Sequence, residues 1–300
     1  MSSPSAGVWQ EGAEVIAVAV SHDSAKLLPH CVESLLQQQV AVVVVDNASQ
    51  DGSVEAARIA GAHVIVNRKN EGYGRANNQG VRAADGAKWC LITNPDVTVE
   101  PDCLTKLVEA ARRHPRAAIV VPRLTEPSGR VFEHGTSVLS RVSSGPDLGE
   151  AMSGNERAVR FVSGACMLVR RDAFLSVGGF DERIFLFYED DDLCLRLRKA
   201  GFILVMVDDA FAQHARGRSS APAPGRIFRS RWHQAWSRSY VCRKHGVPDD
   251  SLVVLIRNGL KGLAVLPTFN RRHIERYAGS AAGAWAALRN RSALEREQLE

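Results

Sequence analysis

The sequence predicts an α/β fold, with a mostly parallel sheet flanked by helices and a C-terminal helical extension. Two observations indicate the sheet: short apolar runs alternate with amphipathic segments over the first 125 residues, and polar residues follow most of the runs. Alternation of this kind is typical of right-handed βαβ units in a doubly wound sheet. A third observation, a basic stretch with helical spacing from Arg226 onward, predicts the extension.

The apolar runs are short, rich in β-branched residues and bounded by polar turns, like the buried strands of a parallel sheet. They predict strands at residues 15–21, 40–46, 64–67, 89–93 and 117–122. Between them, apolar residues recur with helical spacing. These segments predict helices at residues 27–38, 53–60, 73–84 and 101–114.

Beyond residue 123 the pattern is less regular. Residues 124–158 are rich in Gly, Ser and Pro and predict a hairpin or a mobile loop, which leaves open whether it closes over a ligand. Further strands are predicted at residues 161–170 and 202–207, and further helices at 172–177, 190–200 and 226–245. In the last helix, Trp232, Trp236 and Tyr240 share one face, which predicts that this face packs on the body of the protein.

The net charge of +5 is unevenly distributed along the chain. From Arg226 to the end there are 14 Lys/Arg and 6 Asp/Glu, a balance of +8, so the first 225 residues carry −3. This basic piece predicts either an anionic partner, such as a lipid surface, or a solvated basic face. No nucleic-acid partner is predicted, because the tail has few aromatic residues beyond the Trp stripe.

Six cysteines lie far apart without a C-x-x-C pair, which argues against a zinc ribbon or a disulfide framework and fits a reducing cytosol. Residues 1–13 lack the basic and apolar regions of a signal peptide and predict a disordered lead. The most apolar stretch, residues 252–266, is interrupted by Arg257, Lys261 and two glycines. We therefore expect no membrane span.

Polar residues follow four of the predicted strands at the point where each strand ends. The carboxyl ends of parallel strands meet at one edge of a sheet, where α/β proteins bind their ligands. The sequence therefore predicts one ligand-binding rim. Its members are Ser21 to Asp23, Asp46 to Ser49, Asn67 to Asn70, and Asn94 to Asp96.

Four successive carboxylates, Glu189 to Asp192, open a predicted helix among apolar neighbours. One or two acids suit the dipole of a first helical turn, but four in a row repel one another. A carboxylate beside an apolar wall is where a protein can raise the pKa of a general base. This run therefore predicts a catalytic base.

Three further features admit two interpretations each. The Asn94-Pro95-Asp96 segment is either a plain turn or a site where a carboxylate binds Mg²⁺ or Mn²⁺. His214 is either structural or a late metal ligand, and Arg216 and Arg218 beside it suggest an anion site. The glycines of residues 70–80 allow close backbone approach, and Arg75 could meet a phosphate, but the third glycine of a dinucleotide fingerprint is absent.

Taken together and in this order, these motifs resemble inverting glycosyltransferase family 2, which has the GT-A fold, and in particular its bacterial rhamnosyltransferase-like branch. The resemblance covers about residues 14–245. The first block, residues 43–53, is similar to the family's V-V-D-N-x-S-x-D-G-S. The other blocks are residues 70–80, 94–96, 163–181 and 188–193.

The resemblance implies a role for each block. Asp190 would be the general base, with Glu189 and Asp192 orienting the acceptor or their neighbours, and Ser163 and Gly164 would border the acceptor cleft. Asp96 would bind Mg²⁺ or Mn²⁺, with His214 as a second ligand. The residues predicted to bind the nucleotide-sugar donor are Ser21, Asp23, Asp46, Asn47, Asn70, Gly72, Arg75, Asn78 and Asn94.

The resemblance also implies the organisation and the partners. Residues 14–225 would form the catalytic domain, with a donor half at 14–123 and an acceptor half at 124–225, followed by the extension at 226–300. The donor would be a dTDP-, UDP- or GDP-sugar, best of all a dTDP-deoxyhexose such as rhamnose. The acceptor would be a cell-envelope glycan or a polyprenyl-diphosphate-linked sugar, reached at the cytoplasmic leaflet through the basic extension. Whether the chain forms a homodimer is not decided by the resemblance.

Two departures from the family pattern are evident. Asn94 replaces the first acid of the usual Asp-x-Asp, which leaves one metal carboxylate, and His22 stands where Tyr is common. Two rival functions stay open: a sugar-1-phosphate nucleotidyltransferase, for which the turn after residue 21 is poor, and a non-catalytic sugar-nucleotide-binding assembly partner, against which Glu189 and Asp190 argue.

Overall fold

Four apolar segments of the first half form neighbouring parallel strands. They are β1 (Val15–Ser21), β2 (Ala41–Asp46), β3 (His63–Val66) and β4 (Trp89–Thr93), in the spatial order β3-β2-β1-β4. This computed structural model describes residues 13–132, 137–142, 152, 154–215 and 224–297. Every residue of β1 and β4 is buried, because helices cover both faces of the sheet.

Helices α1 (Leu28–Leu36), α2 (Ser53–Ile59) and α3 (Tyr73–Ala83) connect these strands, and α4 (Cys103–Arg113) follows them, as the sequence predicts. Their buried side chains belong to two layers. Leu28 and Leu35 of α1 join Leu107 of α4 on one face of the sheet. Ala76 and Val81 of α3 pack on the other face with the helices of the second half.

The second half extends the same sheet with mixed strand directions. Its strands are β5 (Val97–Val99), β6 (Ala117–Thr125), β7 (Val131–Phe132), β8 (Glu156–Val159), β9 (Cys166–Arg170) and β10 (Ile203–His214). Strand β9 lies antiparallel between β4 and β6, and β10 runs parallel to β6. The predicted hairpin is present where β7 pairs with β6.

Two strand predictions differ from the structure. The strand predicted at 161–170 begins only at Cys166, where pairing with β4 begins. The strand predicted at 202–207 continues to His214, because its distal part pairs with β5 and places His214 opposite Val97. Both differences arise from pairing between segments distant in sequence.

The remaining helices are α5 (Arg171–Ser176), α6 (Glu189–Lys199), α7 (Arg226–His245), α8 (Ser251–Val265), α9 (Arg271–Leu288) and α10 (Ala293–Glu297), with a 3₁₀ turn at Leu266–Thr268. Helix α7 packs on the body as predicted. Trp232 and Trp236 stack with ring centroids 6.4 Å apart, next to Phe185. Ser237 Oγ donates a hydrogen bond to the Leu186 carbonyl at 2.9 Å.

Helix α8 differs from the other helices because its apolar side chains face solvent. Leu260 and Leu263 are 63% and 66% exposed, and Phe269 just after the helix is 89% exposed. Among the described residues, the helical stretch from Ser251 to Thr268 is long and apolar enough to cross a membrane by length and composition alone, so the absence of a membrane span stays a prediction. Two predicted features lie outside the described residues. They are the lead at 1–13, of which only Ala13 is described, and the arginines at 216 and 218.

Candidate active site

The polar residues that follow β1 to β4 meet at one rim, as the sequence predicts. The backbone N–H of Asn47 donates to the Ser21 carbonyl at 2.8 Å, and that of Asn67 donates to the Asp46 carbonyl at 2.8 Å. The Asn67 side-chain amide donates to Asn47 Oδ1 at 2.9 Å. Asn94 completes the rim, its N–H bonded to the Ala165 carbonyl at 2.8 Å.

Two aspartates of the rim fix the loop that follows β2. Asp46 Oδ2 accepts the Ser49 N–H at 2.9 Å, and Asp23 Oδ1 accepts the Gln50 N–H at 2.8 Å. Ser49 Oγ in turn accepts the Asp23 N–H at 2.9 Å. These bonds hold residues 46–50 in one conformation, which preorganises the rim for a ligand.

The predicted donor-binding residues separate into two groups by exposure. Asp23, Asn70, Arg75 and Asn94 are partly exposed, whereas Ser21, Asp46, Asn47, Gly72 and Asn78 are buried. Asn78 therefore has a different role from the predicted one, because its amide donates to the Phe180 carbonyl at 2.9 Å and accepts the Phe180 N–H at 2.9 Å. These two bonds fix the backbone at Phe180, so the Asn78 amide is not free to line a nucleoside pocket.

Arg75 is also held by the protein itself. Its Nη1 lies 3.3 Å from Glu71 Oε2, and its Nε donates to the Glu182 carbonyl at 2.9 Å. The predicted phosphate contact would therefore compete with these partners. Asn47, by contrast, supports Gly72, because its amide donates to the Gly72 carbonyl at 3.2 Å.

Gly72, beside the predicted donor-binding rim, packs closely against Phe185, which precedes the acid run that starts at Glu189. Its φ is +88°, and a Cβ at this position would lie 2.7 Å from the Phe185 carbonyl oxygen. The next residue, Tyr73, donates its N–H to that same oxygen at 3.0 Å. Only glycine permits this conformation and this approach together.

The acid run, Glu189 to Asp192, directly follows two consecutive residues whose backbone lies in the left-handed region. Phe187 and Tyr188 have φ values of +68° and +66°, and helix α6 then begins at Glu189. Non-glycine residues in this conformation cost about 1–3 kcal/mol each and cluster at functional sites.

Asp190 is the member of the run with access to solvent, since the other three are at most 7% exposed. Its Oδ2 accepts the Gly164 N–H at 3.1 Å and its Oδ1 accepts the Asp191 N–H at 3.0 Å. Burial raises the pKa of Asp190, although these N–H groups oppose the rise. The predicted acceptor residue Gly164 thus contacts the predicted base, with Ser163 adjacent to it.

Glu189 and Asp191 are buried beside Asp190 and titrate differently from it. Burial, and then the charge of Asp190, raise the pKa of Glu189 well above its ordinary value. The same two causes raise the pKa of Asp191 to about 8. Burial and the charge of Asp190 therefore make Glu189 and Asp191 harder to ionise than ordinary carboxyls.

Of the two roles predicted for Asp192, orienting the acceptor or orienting its neighbours, its contacts support the second. It is 0% exposed, with Oδ2 at 2.7 Å from Arg196 Nε and Oδ1 at 2.6 Å from Lys244 Nζ and 2.8 Å from His245 Nε2. Burial alone would raise its pKa, but the hydrogen bond from His245 and the charges of Arg196 and Lys244 lower it to about 2. Asp192 joins α6 to α7.

Tyr73 is a site residue that the sequence analysis did not single out, although it lies within the 70–80 motif. Its hydroxyl donates to the Gly164 carbonyl at 2.7 Å. Burial and the charges of Glu189 and Asp190 hold the pKa of Tyr73 well above its ordinary value, so the hydroxyl remains a donor. Lys244 and His245 were also missed, because they belong to no motif and approach Asp192 only through the packing of α7.

Asp96 and His214 meet at the other end of the rim. Pairing of β10 with β5 places His214 Nε2 3.2 Å from Asp96 Oδ1, and that buried oxygen has no hydrogen bond among the described residues. An unsatisfied carboxylate oxygen beside an imidazole fits a divalent metal. Within the described ranges no third His, Cys, Asp or Glu joins them, so further ligands would come from a bound diphosphate or water.

Comparison with known proteins agrees with this geometry. The model of glycosyl transferase family 2 matches residues 16–178. The N-acetylglucosaminyl-diphospho-decaprenol L-rhamnosyltransferase of Mycobacterium tuberculosis is 33% identical over 263 residues, 74% of this chain and 86% of the relative. A dTDP-rhamnosyl transferase of Shigella flexneri is 27% identical over 70% of this chain and 72% of its own.

The fold also matches a solved glycosyltransferase. The crystal structure of GalNAc-T7 with UDP, GalNAc and Mn²⁺ superposes with a TM-score of 0.59 at 14% identity, over 97% of this chain and 57% of the other. This likeness supports the GT-A architecture, and the family match covers the rim, including Asp96, up to residue 178. The chain therefore belongs to glycosyl transferase family 2 and is a glycosyltransferase.

Proposed function

We propose that this enzyme transfers a deoxyhexose, in the first place rhamnose, from a dTDP-linked donor to a hydroxyl of a polyprenyl-diphosphate-linked glycan. The observation that carries this proposal is the partly exposed Asp190, whose Oδ2 accepts the Gly164 N–H at 3.1 Å between the buried carboxyls of Glu189 and Asp191. The donor and acceptor classes are supported by the named activities of the two relatives. The reaction would take place at the cytoplasmic leaflet.

The proposed step is a single displacement. The acceptor oxygen attacks the anomeric carbon, its proton passes to Asp190, and the bond from that carbon to the diphosphate oxygen breaks on the opposite side. The configuration at the anomeric carbon is inverted, and the nucleoside diphosphate leaves. Asp190 is suited to accept the proton because its raised pKa makes it a stronger base than an exposed aspartate.

Asp96 and His214 would hold a divalent metal at the donor. A metal bound there would neutralise the negative charge that develops on the leaving diphosphate. Asp96 Oδ1 is available for this purpose, since it accepts no hydrogen bond from the described part of the chain.

We expect Asp96→Asn to weaken the metal-dependent part of dTDP binding by about tenfold or more, because loss of a metal ligand should cost at least as much as loss of its supporting shell. Calorimetric titration of dTDP with and without Mn²⁺ measures this without any turnover. Asp102→Asn is the matched control, because Asp102 is exposed and pairs only with Lys106 among the described residues. An unchanged Mn²⁺ effect in Asp96→Asn would remove Asp96 from the metal site.

We also propose that α8 docks on an anionic lipid surface. Its exposed apolar side chains, including Ile256 and Leu260 at 55% and 63%, lie on the same helix as Arg257 and Lys261, and the Arg271 and Arg272 pair opens the next helix. Apolar side chains bordered by cations are typical of helices that lie in the membrane interface.

Replacing both Ile256 and Leu260 by Glu is expected to reduce binding to phosphatidylglycerol-containing vesicles by about tenfold or more, since two apolar contacts are lost and two repelling charges are added. Vesicle co-sedimentation at low salt measures the effect. The control is Ile59→Glu with Val66→Glu, two exposed apolar residues of the body at 79% and 51%. If the wild-type chain ignores vesicles and the α8 variant instead converts a dimer into a monomer, α8 contacts a second copy.

A further inference from the structure

A cavity of about 550 Å³ lies between α7, α8 and α9, away from the donor rim. Tyr188, the residue immediately before Glu189, forms part of its wall, so the cavity adjoins the entry to the acid run. Its other walls come from the extension alone. We call it the cationic pocket and define it by Arg231, Arg238, Arg257, Lys261 and Arg276.

The charge of the cationic pocket is only partly compensated. Asp249 and Asp250 are the carboxylates that line it. Asp250 forms an ion pair with Arg238, and Asp249 lies 3.6 Å from Arg243 and accepts hydrogen bonds from Ser239 and Ser251. In the described part of the chain this leaves four of the five cations without a carboxylate partner.

Several cations converging on a cavity favour a compact anion with more than one charge. Arginine forks match phosphate oxygens, and lysine adds a point charge. One wall of the pocket is α8, whose exposed apolar side chains continue beyond it. The site therefore combines a receptor for a polyanion with a surface for hydrocarbon.

We propose that the cationic pocket binds the diphosphate group of the polyprenyl-linked acceptor, with the hydrocarbon chain leaving along α8. The proposal rests on the proposed function, because it assigns a subsite to the acceptor of that reaction. It places the diphosphate on the extension and leaves the sugar end directed past Tyr188 towards Asp190. The donor diphosphate is separate, since Asp96 and His214 belong to neither α7, α8 nor α9.

The test is calorimetric binding of farnesyl diphosphate, a soluble polyprenyl diphosphate, to the full chain. Arg257→Gln and Arg276→Gln are each expected to weaken binding about tenfold, because each removes a charge-assisted hydrogen bond. Both side chains are exposed and have no ion pair among the described residues, so the variants should fold normally. Binding of dTDP should stay unchanged in both.

Arg272→Gln is the matched control, because Arg272 lies on the same helix as Arg276 but does not line the pocket. Equal loss of farnesyl diphosphate binding in this control, or equal affinity for farnesyl monophosphate and diphosphate, would overturn the proposal. An unaltered affinity in Arg257→Gln and Arg276→Gln would overturn it as well.

Transferase assays distinguish this inference from the function on which it rests. If the enzyme transfers sugar and the two variants raise KM for the lipid acceptor but not for the donor, both proposals stand. If it transfers sugar and both KM values are unchanged, the pocket assignment alone is wrong. If no donor supports transfer while farnesyl diphosphate binding still depends on the two arginines, the proposed function fails and the pocket remains a polyprenyl diphosphate site.

Discussion

Asp190→Asn is expected to lower kcat by about 10²- to 10⁴-fold, the usual contribution of a positioned general base. Asparagine keeps the shape of the side chain and can still accept the Gly164 N–H, but it cannot take a proton from the acceptor. The affinity for dTDP should stay within about twofold of wild type, because Asp190 does not belong to the donor rim. Steady-state kinetics and calorimetry on the same preparation check both values.

Glu189→Gln is the control that separates the base from its neighbour. Burial and the charge of Asp190 raise the pKa of Glu189 well above its ordinary value, which favours its protonated form, and glutamine mimics that form. We expect kcat to fall by less than about tenfold in this variant, since a neutral carboxyl is replaced by a neutral amide. A loss as large as that of Asp190→Asn would mean that Glu189 carries the catalytic charge.

The pH profile gives a further check on the same assignment. Because the pKa of Asp190 is raised, kcat should fall as pH decreases through a value above the ordinary aspartate pKa of about 3.9. In the Asp190→Asn variant this fall of kcat at acidic pH should be absent. If the variant still shows the fall, a group other than Asp190 causes it.

Asp192→Ala is expected to lower the free energy of unfolding by about 1–3 kcal/mol, because Arg196, Lys244 and His245 lose their shared buried acceptor. Urea denaturation followed by far-ultraviolet circular dichroism measures this. Asp85→Ala is the control: Asp85 is 89% exposed and its pair with Arg171 should contribute at most about 1 kcal/mol. If the two variants lower the free energy of unfolding equally, the contacts of Asp192 with α7 do not stabilise the protein more than a surface ion pair does.

The sign of the pH dependence follows from the pKa of Asp192, which is lowered to about 2 in the folded protein. Its contribution is fully present above the unfolded pKa of about 3.9 and is lost as pH falls towards 2. The stability difference between wild type and Asp192→Ala should therefore shrink below about pH 4. A constant difference across that range would show that lost packing, rather than lost charge, causes the destabilisation.

The parallel half of the sheet could be predicted from sequence because its strands are local apolar runs with helices between them. The rim could be predicted for the same reason, since strand polarity alone brings the ends at Ser21, Asp46 and Asn94 to one edge. The later strands were less predictable. Cys166 and His214 lie at strand boundaries that depend on pairing with β4 and β5.

The sequence alone determined that a run of four carboxylates opens a helix near an apolar wall, and that its surroundings resemble one enzyme family. Only the tertiary structure shows how the surroundings of these four carboxylates differ. Asp190 is partly exposed and accepts the Gly164 N–H, whereas Asp192 is buried against Lys244 and His245, which α7 supplies. The pattern of acids is local, but burial and counter-charge come from segments some 50 residues apart, and these set the pKa of each carboxyl.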